Sequence, residues 1–101
     1  MITMASGSEI FPKGFEWDLN KNSSNKLKHG ISFGIAALIF LDVTIEKSVI
    51  HESGEERIIA IGKIKGKFIT VIYTIRSDRK RLISARKSRT NEVKDYEQRH
   101  G

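Results

Sequence analysis

One short segment of the chain carries all of its excess positive charge. Between Arg76 and Arg89 lie seven basic residues and a single acidic one, Asp78, so the segment has a net charge of +6. The whole chain of 101 residues also carries +6 at pH 7, and the remaining residues therefore sum to zero. A positive field concentrated in this way attracts polyanions, so we expect the partner to be a nucleic acid or an acidic protein.

Arg86 is the strongest candidate in this segment for contacting a phosphate. A guanidinium binds two phosphate oxygens at once and stays charged at any working pH. Strand alternation predicts that Leu82 and Ser84 share a face with Arg86. Ile83 and Ala85 then lie on the other face, and their apolar side chains predict that it is the buried one. Arg86 is therefore expected to be exposed, either as a phosphate ligand or as a solvated arginine at a strand end.

Three more arginines lie on either side of a predicted turn at Ser77-Asp78. Arg76, Arg79 and Arg81, with Lys87 further along, can follow a nucleic-acid backbone, and each phosphate contact adds salt-dependent affinity. The same side chains can instead bind carboxylates of a protein partner. The sequence leaves both interpretations open.

A second set of candidates surrounds the turn that follows His51. Arg57 is a further candidate for binding phosphate, and Glu56 is a candidate general base. Because the two are neighbours in a predicted strand, they point to opposite faces, and either can belong to a stabilising ion pair. His51 can transfer protons near neutral pH and shares its loop with Glu55, although a surface histidine without a role is the simpler interpretation.

Lys28 and His29 stand immediately before Gly30, at the predicted end of a helix. Cations at a helix C-terminus followed by a glycine cap explain this spacing without any further function. Lys28 is nevertheless a candidate for proton transfer, and His29 is a candidate for contacting nucleic acid.

Several functional classes find no support in the sequence. The chain has no cysteine, and its His, Asp and Glu residues lack the spacing of metal ligands, so we expect neither a metal site nor a cofactor. The longest apolar run, Ile35 to Leu41, is shorter than a membrane span. No signal peptide is visible. We therefore expect a cytoplasmic protein.

The pattern of apolar residues predicts an α+β fold. Met1–Gly14 is expected to be a disordered leader or tag, and residues 15–101 are expected to form a single domain. The predicted order is a short strand at 15–17, helices at 19–29 and 33–41, strands at 43–50, 57–63, 67–76 and 79–87, and a helix from Thr90. The four long strands are expected to form an antiparallel meander with the helices against one face.

Four segments of the sequence, in their order and spacing, resemble the BrnT toxin family. They are Phe15-Glu16-Trp17-Asp18 with Asn20-Lys21, Asn25 with Lys28 to Phe33, Gly54 to Arg57, and Ile83 to Arg86. The sequence departs from the family pattern at Leu19, where a proline is common, and at Gly34 and Ile35, where acidic residues are expected. These positions fall on predicted helix surfaces, away from the candidate residues.

The resemblance implies a RelE-like ribonuclease fold and a toxin that inhibits translation by cutting RNA. It also implies a DNA-binding antitoxin of the BrnA type, encoded beside the toxin, which neutralises it and brings the complex to promoter DNA. The chain itself would then contact promoter DNA only through the antitoxin.

Cleavage of RNA by its own 2′-OH needs acid–base groups and cations but no metal ion. In this interpretation Arg86, Arg57 and Arg76 hold the phosphate, while Glu56, His51 or Lys28 transfers protons. The alternatives are a basic module that binds nucleic acid without catalysis and a surface that serves chiefly to dock an antitoxin.

Overall fold

The computed structural model describes residues 13–100, so the predicted leader lies outside the described residues except for its last two positions. The elements are β1 (Phe15–Glu16), α1 (Leu19–His29), α2 (Phe33–Ala36), a 3₁₀ helix (Ala37–Leu41), β2 (Ile45–Ile50), β3 (Glu56–Ile64), β4 (Lys67–Arg76), β5 (Arg79–Lys87) and α3 (Thr90–His100). The α+β class is confirmed.

The strands form one sheet in the order β1-β5-β4-β3-β2. The antiparallel meander of β2 to β5 is confirmed. The predicted count of four strands in the sheet is wrong, because Phe15 and Glu16 pair in parallel with Lys80 and Arg81 and add a fifth. A two-residue strand carries too little periodicity to indicate which strand it will join.

The main core lies between one face of the sheet and the first helices. Small residues at the centre of that face, Ala60, Val71 and Ala85, leave room for Phe33 of α2 and Ile39 of the 3₁₀ helix. The approach is closest at Gly62, where a Cβ atom would lie 2.8 Å from the Cβ of Ile39. We call this side of the sheet the core face.

The second predicted helix is divided. A continuous helix over 33–41 was expected, but α2 makes a single turn and the chain tightens into the 3₁₀ helix at Ala37. The tighter winding carries Ile39 against the sheet, while Leu38 and Leu41 remain exposed. Contact with the sheet therefore outweighs the simple helical spacing of apolar residues.

Helix α3 packs against the opposite side of the sheet, which we call the open face. Phe68 stacks edge-on against Tyr96 with ring centroids 5.4 Å apart, and the Thr70 hydroxyl donates to Glu92. The prediction that all helices share one face is wrong. Phe68 and Thr70 alternate with the core residues of β4, so they form a second, smaller packing surface that α3 covers at one end.

Helix α1 is held against the edge of β5 by Asn25. Its side-chain amide donates to the carbonyls of Ile31 and Ala85, at 2.9 and 2.8 Å, and its Oδ1 accepts the N–H of Ala85 at 3.1 Å. The side chain thus bonds both backbone groups of one residue, as a neighbouring strand would. Asp18 caps the start of this helix and Gly30, with φ of 75°, ends it.

Replacement of Asn25 by Ala should lower the free energy of unfolding by about 2–3 kcal/mol, because it leaves buried backbone groups without partners. Urea unfolding followed by circular dichroism measures the change. Ser24→Ala, one position earlier and exposed, is the matched control and should change stability by less than about 0.5 kcal/mol. Equal stabilities for the two variants would contradict the role given to Asn25.

Candidate functional site

A β-bulge in β5 decides which arginines share a face. Ile72 pairs with Ser84 but Tyr73 pairs with Leu82, so Ile83 is an extra residue in the ladder. The alternation predicted for this strand is therefore wrong on its N-terminal side. Leu82 turns to the core face with Ala85, and the residues before the bulge change faces as well.

The bulge brings Arg79, Arg81, Ser84 and Arg86 to the open face. The registers Arg76 with Arg79, Thr74 with Arg81, Ile72 with Ser84 and Thr70 with Arg86 define four successive rows across the two strands. Without the extra residue, Arg79 and Arg81 would point toward the core face. The sequence holds one hint of this, since Leu82 and Ala85 are both apolar at a spacing that simple alternation does not produce.

Four arginines gather on the open face at the end that carries the β2–β3 and β4–β5 turns. They are Arg57, Arg76, Arg79 and Arg81, and we call them the arginine cluster. Arg57 and Arg76 share the carboxylate of Glu55, at 3.2 and 3.9 Å. One carboxylate therefore binds an arginine from β3 and an arginine from β4.

Arg81 has a different acidic partner. Its guanidinium donates to Glu16 of β1 at 2.8 Å, and both side chains are largely shielded from solvent. This ion pair links β1 to β5 on the open face. Arg76 keeps 55% of its side-chain surface exposed, more than Arg57 or Arg81. Its guanidinium is therefore accessible to a ligand from solution.

His51 adds a proton-transfer group beside the arginine cluster. The backbone N–H of His51 donates to the backbone carbonyl of Glu55 at 2.8 Å. This bond extends the β2–β3 ladder by one pair, so both side chains lie on the open face. The His51 Nδ1 atom lies 2.9 Å from Ser53 Oγ and accepts the Ser53 N–H at 3.2 Å.

The carboxylate beside these groups is that of Glu55 and not that of Glu56. Glu56 points to the core face, as alternation from Arg57 predicts, and its carboxylate accepts the hydroxyl of Ser48. Sequence reasoning placed Glu55 in the same loop as His51 but did not select it as a base. Its spacing of two residues from Arg57 was the available signal, because residues two apart in a strand share a face.

Arg86 is enclosed, which corrects the expectation that it is exposed. Two of its nitrogens donate to the two carboxylate oxygens of Glu92, at 2.8 and 2.9 Å. The side chains of Arg86 and Glu92 are only 15% and 10% exposed. Glu92 also accepts the backbone N–H of Arg89 at 2.7 Å and the Thr70 hydroxyl at 3.0 Å. The pair therefore fastens the first turn of α3 to the sheet.

The charges of this pair stabilise each other. Burial alone would raise the pKa of Glu92, but hydrogen bonds from Arg86, the Arg89 N–H and Thr70, together with the charge of Arg86, lower that pKa to about 2. The hydrogen bond to Glu92 likewise raises the pKa of Arg86 above its ordinary value, against the effect of burial. Both groups are charged throughout the neutral range.

Arg86 and the arginine cluster occupy different parts of the open face. Arg86 is opposite Thr70 and Arg81 is opposite Thr74, and four residues of strand correspond to about 13 Å. Ser84 and Ile72 lie in the row between them. The predicted site residues on this face therefore fall into two groups. One is the arginine cluster, and the other is Arg86 in its nearly buried ion pair with Glu92.

The remaining predicted residues lie elsewhere. Lys28 is exposed and His29 is half-buried at the C-terminus of α1, and Lys87 is opposite Ile69 on the core face. None of the three is in the same part of the described structure as the arginine cluster.

Within residues 13–100, no three His, Cys, Asp or Glu side chains are grouped so that they could hold a metal ion. No helix in the same range has the length and apolar character needed to cross a membrane.

Fold and site together define a small α+β protein that presents clustered arginines on one face of an antiparallel sheet. Comparison with known families gives a match over residues 17–92 to the ribonuclease toxin BrnT of type II toxin-antitoxin systems. The chain therefore belongs to the BrnT family, as the sequence resemblance predicted. No curated protein and no solved structure matches it. As a ribonuclease toxin of such a system, the chain has RNA as its substrate and a protein antitoxin as its partner.

Replacement of Glu92 by Gln should destabilise the fold at pH 7 and leave it less sensitive to acid. The pKa of Glu92 falls from an ordinary 4.5 to about 2 in the folded chain, and each pKa unit corresponds to about 1.36 kcal/mol, so the charged form contributes on the order of 3 kcal/mol. Because the folded pKa is the lower one, this contribution is present above about pH 4.5 and is lost as pH falls toward 2.

Urea unfolding of parent and Glu92→Gln between pH 7 and pH 2.5 measures this effect. The two free energies of unfolding should differ by about 2–3 kcal/mol at pH 7 and converge in acid. Glu97→Gln, an exposed change on the same helix, serves as the control and should follow the parent curve. Parent and Glu92→Gln curves that stay parallel over this range would refute the assignment.

Proposed function

We propose that the chain cuts RNA at the arginine cluster without a metal ion and thereby inhibits translation in the cytoplasm. The observation that carries this proposal is the shared carboxylate: Arg57 and Arg76 meet at Glu55, directly beside His51. Two cations, a proposed base and a proposed acid therefore lie in one region that is partly open to solvent. The proposal includes a RelE-like fold and a DNA-binding antitoxin of the BrnA type.

The chemistry needs three contributions from the chain. A base takes the proton of the 2′-OH, and the resulting alkoxide attacks the adjacent phosphorus. The bond from phosphorus to the 5′-oxygen then breaks, and an acid protonates that oxygen. The products are a 2′,3′-cyclic phosphate and a free 5′-OH. Cations stabilise the doubly charged phosphorane between these steps, and fixed charges of this kind often supply the largest single contribution.

Arg57 and Arg76 are proposed to hold the scissile phosphate. They hold a carboxylate in the free chain, and a phosphodiester offers the same pair of anionic oxygens with the same single negative charge, which increases to two in the phosphorane. RNA binding would therefore displace Glu55 from the two guanidinium groups. The released carboxylate stands beside the bound phosphate, where it can accept the proton of the 2′-OH.

His51 is proposed to protonate the leaving 5′-oxygen. Protonation of Nδ1 would exchange the hydrogen bond that it accepts from the Ser53 N–H for one that it donates to Ser53 Oγ. The second bond would orient the ring and leave Nε2–H available to the substrate. A positioned acid of this kind contributes about 10²–10⁴-fold to the rate. Glu56, the base proposed from the sequence, faces the core side and is replaced in this scheme by Glu55.

Most of the other predicted residues take supporting parts in the proposal. Arg79 and Arg81 would contact phosphates on either side of the cut, and Lys28 and His29 would contact the RNA further away. Lys87 lies on the core face and takes no part in this scheme. Arg86 would act mainly by positioning, since its partner Glu92 anchors α3 beside the open face. Arg86→Ala would therefore lower the melting temperature as well as the activity, because it leaves a buried carboxylate unpaired.

The nuclease proposal predicts that purified chain cuts RNA in the presence of EDTA. The expected products carry a 2′,3′-cyclic phosphate and a 5′-OH, which mass spectrometry of the fragments identifies. Intact RNA after incubation with chain whose fold is verified by circular dichroism would overturn cleavage. Cleavage that EDTA abolishes and Mg²⁺ restores would overturn metal independence alone.

Single substitutions at the arginine cluster should separate catalysis from folding. Arg57→Ala and Arg76→Ala should each slow cleavage by about 10²–10³-fold, and His51→Asn by at least about 10²-fold, with melting temperatures near that of the parent. Arg99→Ala removes an equally cationic but remote side chain, on the last turn of α3, and should leave the rate unchanged. Equal loss in Arg99→Ala would mean that overall charge matters and the cluster does not.

A binding test distinguishes this function from a non-catalytic RNA-binding module. RNA with 2′-O-methyl groups cannot attack its own backbone, so its affinity reports binding alone. Each phosphate contact to single-stranded RNA contributes about −0.7 to the slope of log K against log salt. The double variant Arg57→Ala/Arg76→Ala should therefore have a slope shallower by about 1.4. An unchanged slope would place the RNA elsewhere on the chain.

A further inference from the structure

An apolar cleft of about 650 Å³ lies at the end of the sheet away from the arginine cluster. It is bordered by α2, the β3–β4 turn and the start of α3. Its lining residues are Ile31, Ile35, Ile64, Lys65, Gly66, Lys67, Phe68, Ile69, Lys87, Ser88 and Val93. Ile35 forms an exposed lip, with 53% of its surface accessible.

The polar groups of the cleft are nearly all cationic. Lys65, Lys67 and Lys87 line it, and none of the described residues in the lining is acidic. The hydroxyl of Ser88 is engaged with Thr70 at 2.7 Å. The cleft therefore lacks the converging uncharged polar groups with which small-molecule sites fix a ligand. The apolar side chains of the cleft can pack against the apolar face of a helix, and its lysines can pair with acidic side chains on the same helix.

We propose that this cleft is the docking site for an amphipathic, acidic helical segment of the protein antitoxin. Apolar side chains of that segment would fill the space beside Ile35 and Ile69, and its carboxylates would pair with Lys65 and Lys67. The proposal rests on membership of a type II toxin-antitoxin family and not on the proposed mechanism of cleavage.

The cleft and the arginine cluster lie at opposite ends of β4. That strand has 10 residues, which corresponds to about 30 Å. A substitution in the cleft can therefore weaken the antitoxin without touching the residues proposed to cut RNA. The antitoxin would be anchored at one end of the sheet and would have to extend along it to cover the other.

The test is titration calorimetry of the full chain against its cognate antitoxin. Ile35→Asp places a carboxylate on the lip of the cleft, and we expect it to raise the Kd ten- to a hundredfold. The double variant Lys65→Glu/Lys67→Glu should raise the Kd by at least tenfold and weaken its dependence on salt. Both changes are at exposed positions, so melting temperatures should stay close to the parent value.

Matched controls make the same changes outside the cleft. Leu27→Asp alters an apolar residue of α1 that is 90% exposed, and Lys47→Glu reverses an exposed charge on β2. Both should keep the Kd within twofold of the parent. Parent-like affinity of the two cleft variants, or an equal loss in the controls, would overturn the proposal.

Two other occupants would also be revealed. If Ile35→Asp turned a dimeric chain into a monomer in sedimentation, the cleft would join two copies of the toxin and the proposal would fail. If the lysine variant lost affinity for 2′-O-methyl RNA and kept the antitoxin, the cleft would belong to the RNA. Failure of the chain to cut RNA would leave the binding result unaffected, so the two proposals fail separately.

Discussion

The single extra residue in β5 is the constraint on which the open face depends. A regular strand would place Arg79 and Arg81 on the side that packs against α1 and α2, where a charged group would be costly to bury. The bulge at Ile83 turns Leu82 into the core and both arginines outward. The middle of β5 thereby supplies Leu82 and Ala85 to the core face, while Arg79, Arg81 and Arg86 lie on the open face.

Carboxylates then determine what each arginine can do. Glu92 encloses Arg86 within a nearly buried network that also includes Thr70 and the backbone of Arg89, so that pair is structural in the free chain. Glu55 holds Arg57 and Arg76 at longer distances and nearer to solvent. Ion pairs that are partly exposed contribute little to stability, and we propose that the phosphodiester of RNA replaces the carboxylate of Glu55 at small cost. The same residue types therefore form a nearly buried structural pair at one position and a more accessible pair, the proposed binding site, at the other.

The two ends of the sheet carry different surfaces. The end with the β2–β3 and β4–β5 turns is cationic on its open face, whereas the end with the β3–β4 turn has an apolar cleft beside lysines. A nucleic acid is recognised chiefly through charge, and a protein partner chiefly through buried apolar contacts supported by charge. We propose that the first surface binds the RNA substrate and that the second binds the antitoxin.

Much of this protein could be predicted from local sequence. The alternation of β4 predicted its place in the meander, and the caps Asp18 and Gly30 predicted the bounds of α1, because each depends on residues close together in the chain. The charge located between Arg76 and Arg89 favoured a polyanionic partner, which agrees with the ribonuclease function of the family. The family also followed from short ordered segments. The bulge at Ile83, the side chosen by α3 and the pairing of β1 could not be predicted, because each is decided by packing between distant residues. For the same reason, only the tertiary structure revealed that Glu92 encloses Arg86 and that Glu55, rather than Glu56, joins the arginine cluster.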